Sequence, residues 1–225
     1  MTLPETAEFD PRDQEQFVFH ATPLRRFVVW ALRLLFRPIM KMEVRGLENV
    51  PAQGALIVAS NHNSNWDVIP MQLALPRTIF FMGKAELFTF PLLDAVFRNC
   101  GAFPVRRGEK DAWAMRHAGR ILEHGQTLGM FPEGHRSRGT GLGAAKTGTA
   151  RLALQSHRPV LPMAITGSDR FFGAFPARTR VTIILLPLLY AGSGEDPQAF
   201  TDRLMCAIAS ALPPERRGAY AHGRC

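Results

Sequence analysis

Seven short apolar runs punctuate the chain between residues 42 and 187: Met42–Arg45, Ala55–Ala59, Thr78–Met82, Ala102–Val105, Thr127–Phe131, Val160–Ile165 and Val181–Pro187. Their length, their content of Val, Ile, Leu and Phe, and the glycines, prolines and polar residues that bound most of them predict strands. Longer segments with helical periodicity alternate with them: Trp66–Leu75, Pro91–Asn99, Glu109–His124, Ala145–Ser156 and, after the last run, Pro197–Leu212. Strands this apolar have no polar face to offer water. The alternation therefore predicts an α/β fold, a central and mostly buried mixed sheet flanked by helices.

Ahead of the first strand, Leu24–Lys41 reads LRRFVVWALRLLFRPIMK, with five basic residues and no acid. On a helical wheel Arg26, Arg33 and Arg37 share one face, and Leu24, Phe27, Val28, Ala31, Leu34 and Leu35 line the opposite one, flanked by Trp30 and Phe36. The longest apolar stretch, Phe27–Leu32, is far short of the ~20 residues of a membrane-spanning helix. Acids precede it, Arg33 interrupts it and no small-residue cleavage site follows, so it does not read as a signal peptide. Two readings fit: an amphipathic helix lying in a membrane interface, or a helix packed on its own domain with a solvated arginine stripe.

A length of 225 residues suits one α/β core with an appendage. Residues 1–41 are expected as an N-terminal tail and amphipathic helix, 42–212 as the main domain and 213–225 as a C-terminal tail. Met1–Asp13 and Gly218–Cys225 are expected to be poorly ordered. Cys100, Cys206 and Cys225 lack metal-ligand spacing and cannot all pair, which suits a reducing cytoplasm. The net charge of +8 is compatible with nucleic acid, an anionic membrane or a phosphorylated substrate, and composition does not choose among them.

The segment Asn61–Asp67, NHNSNWD, sets His62 five residues ahead of Asp67 just after the run ALIVAS. A histidine oriented by a carboxylate is a base suited to deprotonating an alcohol near neutral pH. On an unbroken helix, five residues would turn the chain by roughly 500° and leave the side chains about 140° apart. The two meet only if His62 lies in a loop and Asp67 in the first turn of a helix, which Asn61, Asn63, Ser64 and Asn65 permit.

Three later segments follow in order: GAFPVRRG (Gly101–Gly108), FPEGHRSRG (Phe131–Gly139) and PVLPMAI (Pro159–Ile165). VRGLENVP at Val44–Pro51, KAELF at Lys84–Phe88 and KTG at Lys146–Gly148 complete the pattern. Over about residues 43–167 the series resembles the lysophosphatidate acyltransferase family, the 1-acylglycerol-3-phosphate O-acyltransferases of the glycerolipid acyltransferase superfamily. The blocks are specific for an acyltransferase of that superfamily, less so for its acceptor.

The resemblance implies His62 as general base and Asp67 as its partner. No covalent nucleophile is needed, because the acceptor hydroxyl attacks the thioester directly. Arg107 stands where the family carries an acceptor-binding arginine, and Arg106 beside it points elsewhere if the segment is extended. Pro132 and Gly134 signal a sharp turn after a strand, presenting Glu133 and Arg136. By analogy Glu133, Gly134 and Arg136 belong to the site for the acceptor's glycerol phosphate, which a guanidinium fork suits. Lys84 is either a family lysine near the reacting carbonyl or phosphate, or a solvated lysine after a strand. His135 stands where the family often has a small hydroxyl residue.

The implied activity is transfer of a fatty acyl group from acyl-CoA or acyl carrier protein to the sn-2 hydroxyl of 1-acylglycerol 3-phosphate. Glycerol 3-phosphate, another lysolipid, a polyol or a glycolipid are alternative acceptors, and a non-catalytic protein that binds anionic lipid is the alternative of a different class, against which the His62/Asp67 pair and the Glu133/Arg136 block count. Beyond the thioester no cofactor is expected, nor a metal, since His117, His124 and His157 lack companion ligands. The expected partners are the acyl donor, the lysophospholipid and an anionic membrane surface, and no nucleic acid. The expected location is the cytoplasmic face of the cell membrane, peripheral or monotopic.

Overall fold

The structure is a computed structural model that describes residues 10–15, 17–106, 111–137, 140–171, 173 and 177–221. Its seven strands are β1 (Met40–Arg45), β2 (Leu56–Ser60), β3 (Ile79–Lys84), β4 (Ala102–Val105), β5 (Thr127–Met130), β6 (Val160–Thr166) and β7 (Thr179–Leu185). They form one sheet in the order β1-β7-β6-β2-β5-β3-β4. β2 to β6 run parallel to one another, while β7 is antiparallel to β6 and β1 follows β7. The expected mixed sheet is thus present.

Six α-helices accompany it among the described residues: α1 (Pro23–Phe36), α2 (Val68–Ala74), α3 (Pro91–Asn99), α4 (Ala112–Glu123), α5 (Gly148–Ser156) and α6 (Pro197–Ser210). β2 is buried along its whole length, and its alternate residues serve two cores, as the two-residue period of a strand dictates. Ile57 and Ala59 join Trp113, Ile121, Leu152 and Phe200 under α4, α5 and α6. Leu56 and Val58 join Phe36, Met71, Ile165 and Ile183 under α1 and α2.

The N-terminal helix is shorter than its pattern suggested. It stops at Phe36, Pro38 follows in a turn, and β1 begins at Met40, ahead of the residue 41/42 boundary expected from the sequence. Arg25 is 1% exposed, lying over the Phe80 ring at 4.2 Å and donating from Nη2 to the Ile79 carbonyl. Burial pushes its pKa down to about 10. Gly101, at φ +81°, makes room for it: a Cβ there would lie 2.4 Å from Arg25 Nη1. The apolar wheel face points away from the body, with Leu24, Phe27, Trp30, Leu34 and Leu35 all exposed.

Asp10–Asp13 and Gly218–Ala221 are anchored, which corrects the expectation of poor order for those residues; the remainder of Met1–Asp13 and of Gly218–Cys225 lies outside the described residues. Arg12 bridges Asp10 and Asp111 and lies 4.3 Å from the Trp113 ring. Gly218–Tyr220 forms a turn of 3-10 helix, with Ala219 N donating to Leu142 O and the Tyr220 side chain buried.

Candidate active site

Five parallel strands deliver their carboxyl ends to one edge of the sheet, and the sequence blocks sit on the loops that leave it. Asn61–Asp67 follows β2, Lys84 ends β3, Arg106 follows β4, Phe131–Ser137 follows β5 and Ser168 follows β6. β5 and β3 lie on one side of β2 and β6 on the other. The loops leaving the neighbouring strands β2 and β5 lead to α2 and α5 on opposite faces of the sheet, and loops that part in this way open a crevice.

His62 and Asp67 meet as their spacing required. Residues 61–63 are loop, a turn follows, and Asp67 is the N-cap of α2. His62 Nδ1 lies 2.8 Å from Asp67 Oδ2. The same oxygen accepts the backbone N–H of Asn63 at 2.7 Å and of Ser64 at 2.8 Å, and Oδ1 accepts the Ser168 hydroxyl. Asp67 is fully buried, so these donors are what make a carboxylate tolerable there. An acceptor carboxylate assigns the proton to Nδ1 and leaves Nε2 as the imidazole's basic nitrogen. The ring stacks on Phe131, centroids 4.0 Å apart and 15° from parallel, which fixes its plane.

Around this pair runs a polar frame that the sequence did not announce. Asn61 exchanges two hydrogen bonds of 2.8 Å with the backbone of Ile165, and Asn63 Nδ2 donates to the same carbonyl at 3.0 Å. Ser137 donates its backbone N–H to His62 O at 2.8 Å and its hydroxyl to Asn63 Oδ1 at 3.0 Å. Ser168 is one residue past Gly167, in a 3-10 turn. Its role was invisible because its partner lies 101 residues away.

Glu133, which the analogy assigns to the acceptor site, faces the protein interior. The Phe131–Gly134 turn closes as anticipated, Gly134 N donating to Phe131 O at 3.0 Å. The Glu133 side chain turns inward and is fully buried. Oε1 accepts the backbone N–H of His62 at 3.0 Å and Oε2 that of Gly143 at 2.8 Å. Burial pushes its pKa up, opposed by those two N–H donors. Fully buried and bonded to backbone N–H groups through both oxygens, the carboxylate presents no surface to an acceptor. Its work here is to join the loops after β2 and β5.

A cavity of about 230 Å³ opens beside His62. Phe81, Met82, Val105, Gly129 and Met130 supply apolar walls, and Arg106, Gly134, Lys146, Gly148 and Thr149 line it as well. Gly129 keeps it open, since a Cβ there would come within 2.6 Å of the Phe81 ring. Gly134, at φ +70°, brings its backbone against the aliphatic stem of Lys146. Of the other expected residues, Lys84 is solvated and paired with Glu86 at 2.8 Å, outside the lining. Arg136 is half-buried in the loop before Ser137, also outside the lining. Arg107 lies outside the described residues, as do Arg138 and Gly139 at the end of its companion block. Lys146 opens the KTG at Lys146–Gly148 and Thr149 follows it, but the motif carries no sign that either lines the cavity.

Fold and crevice together are those of an α/β enzyme, with its cleft outside the carboxyl ends of the parallel strands. Residues 41–166, more than half of the chain, match the family model described as acyltransferase. The chain belongs to that acyltransferase family. It is similar to the chloroplastic 1-acyl-sn-glycerol-3-phosphate acyltransferase of Arabidopsis thaliana, 28% identical over 163 residues, a match covering 68% of this chain and 45% of that protein. It is similar also to the 1-acyl-sn-glycerol-3-phosphate acyltransferase of Bacillus subtilis, 29% identical over 144 residues, covering 63% of this chain and 71% of that one. The chain spans about half the length of several such relatives, 42%, 45% and 54% of three of them. Among solved structures, the fold resembles the 1-acyl-sn-glycerophosphate acyltransferase PlsC of Thermotoga maritima, with a TM-score of 0.63 at 24% identity over 80% of this chain and 78% of that one.

Proposed function

We propose that this chain transfers a fatty acyl group from acyl-CoA or acyl carrier protein to the sn-2 hydroxyl of 1-acylglycerol 3-phosphate, forming phosphatidate. The observation that carries this reading is the His62–Asp67 contact beside a cavity with apolar walls and a cationic rim. His62 Nε2 takes the proton of the acceptor hydroxyl, and Asp67 steadies the imidazolium through Nδ1–H. The hydroxyl oxygen bonds to the thioester carbonyl carbon. The tetrahedral adduct then collapses, releasing a thiolate that takes the proton back from His62. Arg136 and Arg107 hold the acceptor's phosphate, and Arg106, next to Arg107 in sequence, lines the cavity. The names of the relatives favour this acceptor over glycerol 3-phosphate, other lysolipids, polyols and glycolipids.

We place the enzyme on the cytoplasmic face of a membrane through α1. No helix among the described residues is long and apolar enough to cross one. Phe27, Trp30 and Leu35 are each about 60% exposed, which is costly in water and favourable in a lipid interface. Leu87, Phe90, Leu92 and Leu93 add exposed apolar surface on and just before α3, whose last residue accepts a hydrogen bond from Thr22 at the start of α1. At its other end Phe36 lies 6.0 Å from Trp66, the residue preceding Asp67.

Purified protein assayed with acyl-CoA and acyl carrier protein donors against a panel of lysolipids tests the reading. Phosphatidate formation that falls at least ~10²-fold in His62→Ala is expected. Near-normal turnover in that variant would sink the dyad, and preference for an uncharged acceptor would remove the phosphate assignment.

A further inference from the structure

We propose that the amino-terminal turn of α5, through Lys146, the backbone amides of Gly148 and Thr149, and the Thr149 hydroxyl, is the oxyanion site for the thioester carbonyl. This inference rests on the acyl-transfer reading and deepens it, since that reading needs donors for the tetrahedral adduct and Lys84 lies outside the cavity lining.

Three observations point the same way. First, Lys146, Gly148 and Thr149 all line the cavity that His62 lines. Second, α5 begins in an unusual electrostatic state. Its N-cap, Thr147, makes no side-chain capping bond and its first turn holds no acid, while a lysine directly precedes the cap. The positive end of a helix and an ammonium group side by side repel each other unless an anion lies between or before them. Third, Thr149 is 2% exposed and its Oγ1 finds no hydrogen-bond partner among the described residues. A buried hydroxyl left unpaired costs stability, which a site retains when a ligand supplies the missing partner. Gly148 leaves the approach clear, with nothing within 4 Å of where its Cβ would lie.

The chemistry is balanced by groups already named. As the acceptor oxygen bonds to the carbonyl carbon and its proton passes to His62 Nε2, the carbonyl π electrons move onto oxygen. That oxygen gains a negative charge opposite the base, and hydrogen bonds from fixed donors are worth most at that moment. When the C–S bond breaks, the electrons return to the carbonyl and the thiolate leaves with the proton from His62.

The test separates this site from a phosphate site and from failure of the whole reading. Wild type, Thr149→Val, Thr149→Ser and Lys146→Met are compared for kcat and both KM values with acyl-CoA and 1-acylglycerol 3-phosphate, and for melting temperature. Thr149→Val should lower kcat by about 10²-fold, the scale of one lost oxyanion donor, with both KM values little changed. Thr149→Ser should recover most of that loss. The valine variant should melt no lower than wild type, because the hydroxyl it removes has no partner to lose. Lys146→Met, an exposed change, should also lower kcat rather than raise the acceptor's KM. The inference is overturned by a Thr149→Val enzyme within about threefold of wild-type kcat, by a lowered melting temperature that marks the hydroxyl as structural, or by a Lys146→Met effect confined to acceptor KM. A wild-type protein that transfers no acyl group from the thioester overturns the parent reading and this inference together.

Discussion

Glu133 Oε1 accepts the backbone N–H of His62 at 3.0 Å, so this side chain, together with Ser137, holds the loop after β5 to the loop after β2. The carboxylate's other oxygen holds Gly143, which ties in the approach to α5. Replacing Glu133 with Ala leaves the buried His62 amide without its acceptor, worth about 1–3 kcal/mol, and the part-buried Gly143 amide as well, at a smaller cost. The variant should unfold at lower denaturant concentration and turn over more slowly, with the acceptor's KM little changed among the molecules that remain folded. A selective rise in acceptor KM at normal stability would return Glu133 to direct substrate contact.

Asp67 is held from both sides, by two backbone N–H groups within its own loop and by Ser168 from beyond β6. Removing the Ser168 hydroxyl leaves Oδ1 of a buried carboxylate without that donor, and the His62 ring loses part of its fixed reference. Ser168→Ala should therefore lower kcat by roughly tenfold, a loss smaller than that of Asp67→Asn because the carboxylate itself stays in place. Its kcat–pH profile should shift relative to wild type, because the donor acts on the dyad's charge. An unchanged profile with normal kcat would make Ser168 a packing residue only.

The contrast between these two carboxylates marks what could be read from the chain. His62 and Asp67 are five residues apart, so loop and cap propensities over one short segment decided their geometry. Glu133 and Ser168 act on partners 71 and 101 residues away, and a turn-forming PEG or a lone serine carries no sign of which way its side chain faces. Strands were legible for a similar reason: β4 and α3 fall where the apolar runs put them, because two-residue and 3.6-residue periods are local properties. Arg25 was not legible. Its wheel position says nothing of a pocket formed by Phe80, Ile79 and the missing side chain of Gly101, three contacts from distant segments.

His117 offers a pH-dependent test of the core on the far side of the sheet. It is 3% exposed among Phe17, Phe103 and Trp113, and Phe19 lies 5.3 Å away. Burial, helped by the nearby Arg120 and Arg98, lowers its pKa from 6.5 to about 4. The unfolded chain thus takes up a proton at a pH where the folded one does not. The stabilisation is complete above pH 6.5 and is lost as pH falls toward 4, a swing on the order of 3 kcal/mol. His117→Phe should flatten the stability curve between those limits, measured by denaturant unfolding at several pH values. A variant with the wild-type slope would assign the loss to other groups.

Membrane binding through α1 separates into two physical parts. Arg26, Arg33 and Arg37 are exposed, and so are Phe27, Trp30 and Leu34. Each basic residue near an anionic surface contributes about 1 kcal/mol, so Arg26, Arg33 and Arg37 changed together to Gln should weaken binding to anionic vesicles by about 10²-fold. The difference should shrink as salt rises, because screening removes the same attraction. Phe27, Trp30 and Leu34 changed to Ser should instead weaken binding to anionic and neutral vesicles alike, and salt should leave that loss in place. Both variants should keep full activity on a short-chain, water-soluble acceptor, since the helix delivers the enzyme to lipid and touches none of the reacting atoms. Vesicle co-sedimentation at two salt concentrations measures the binding, and an acyl-transfer assay on the soluble acceptor measures the activity. Binding indifferent to both sets of changes would return α1 to a helix that serves only its own domain, held there by Arg25 and Phe36.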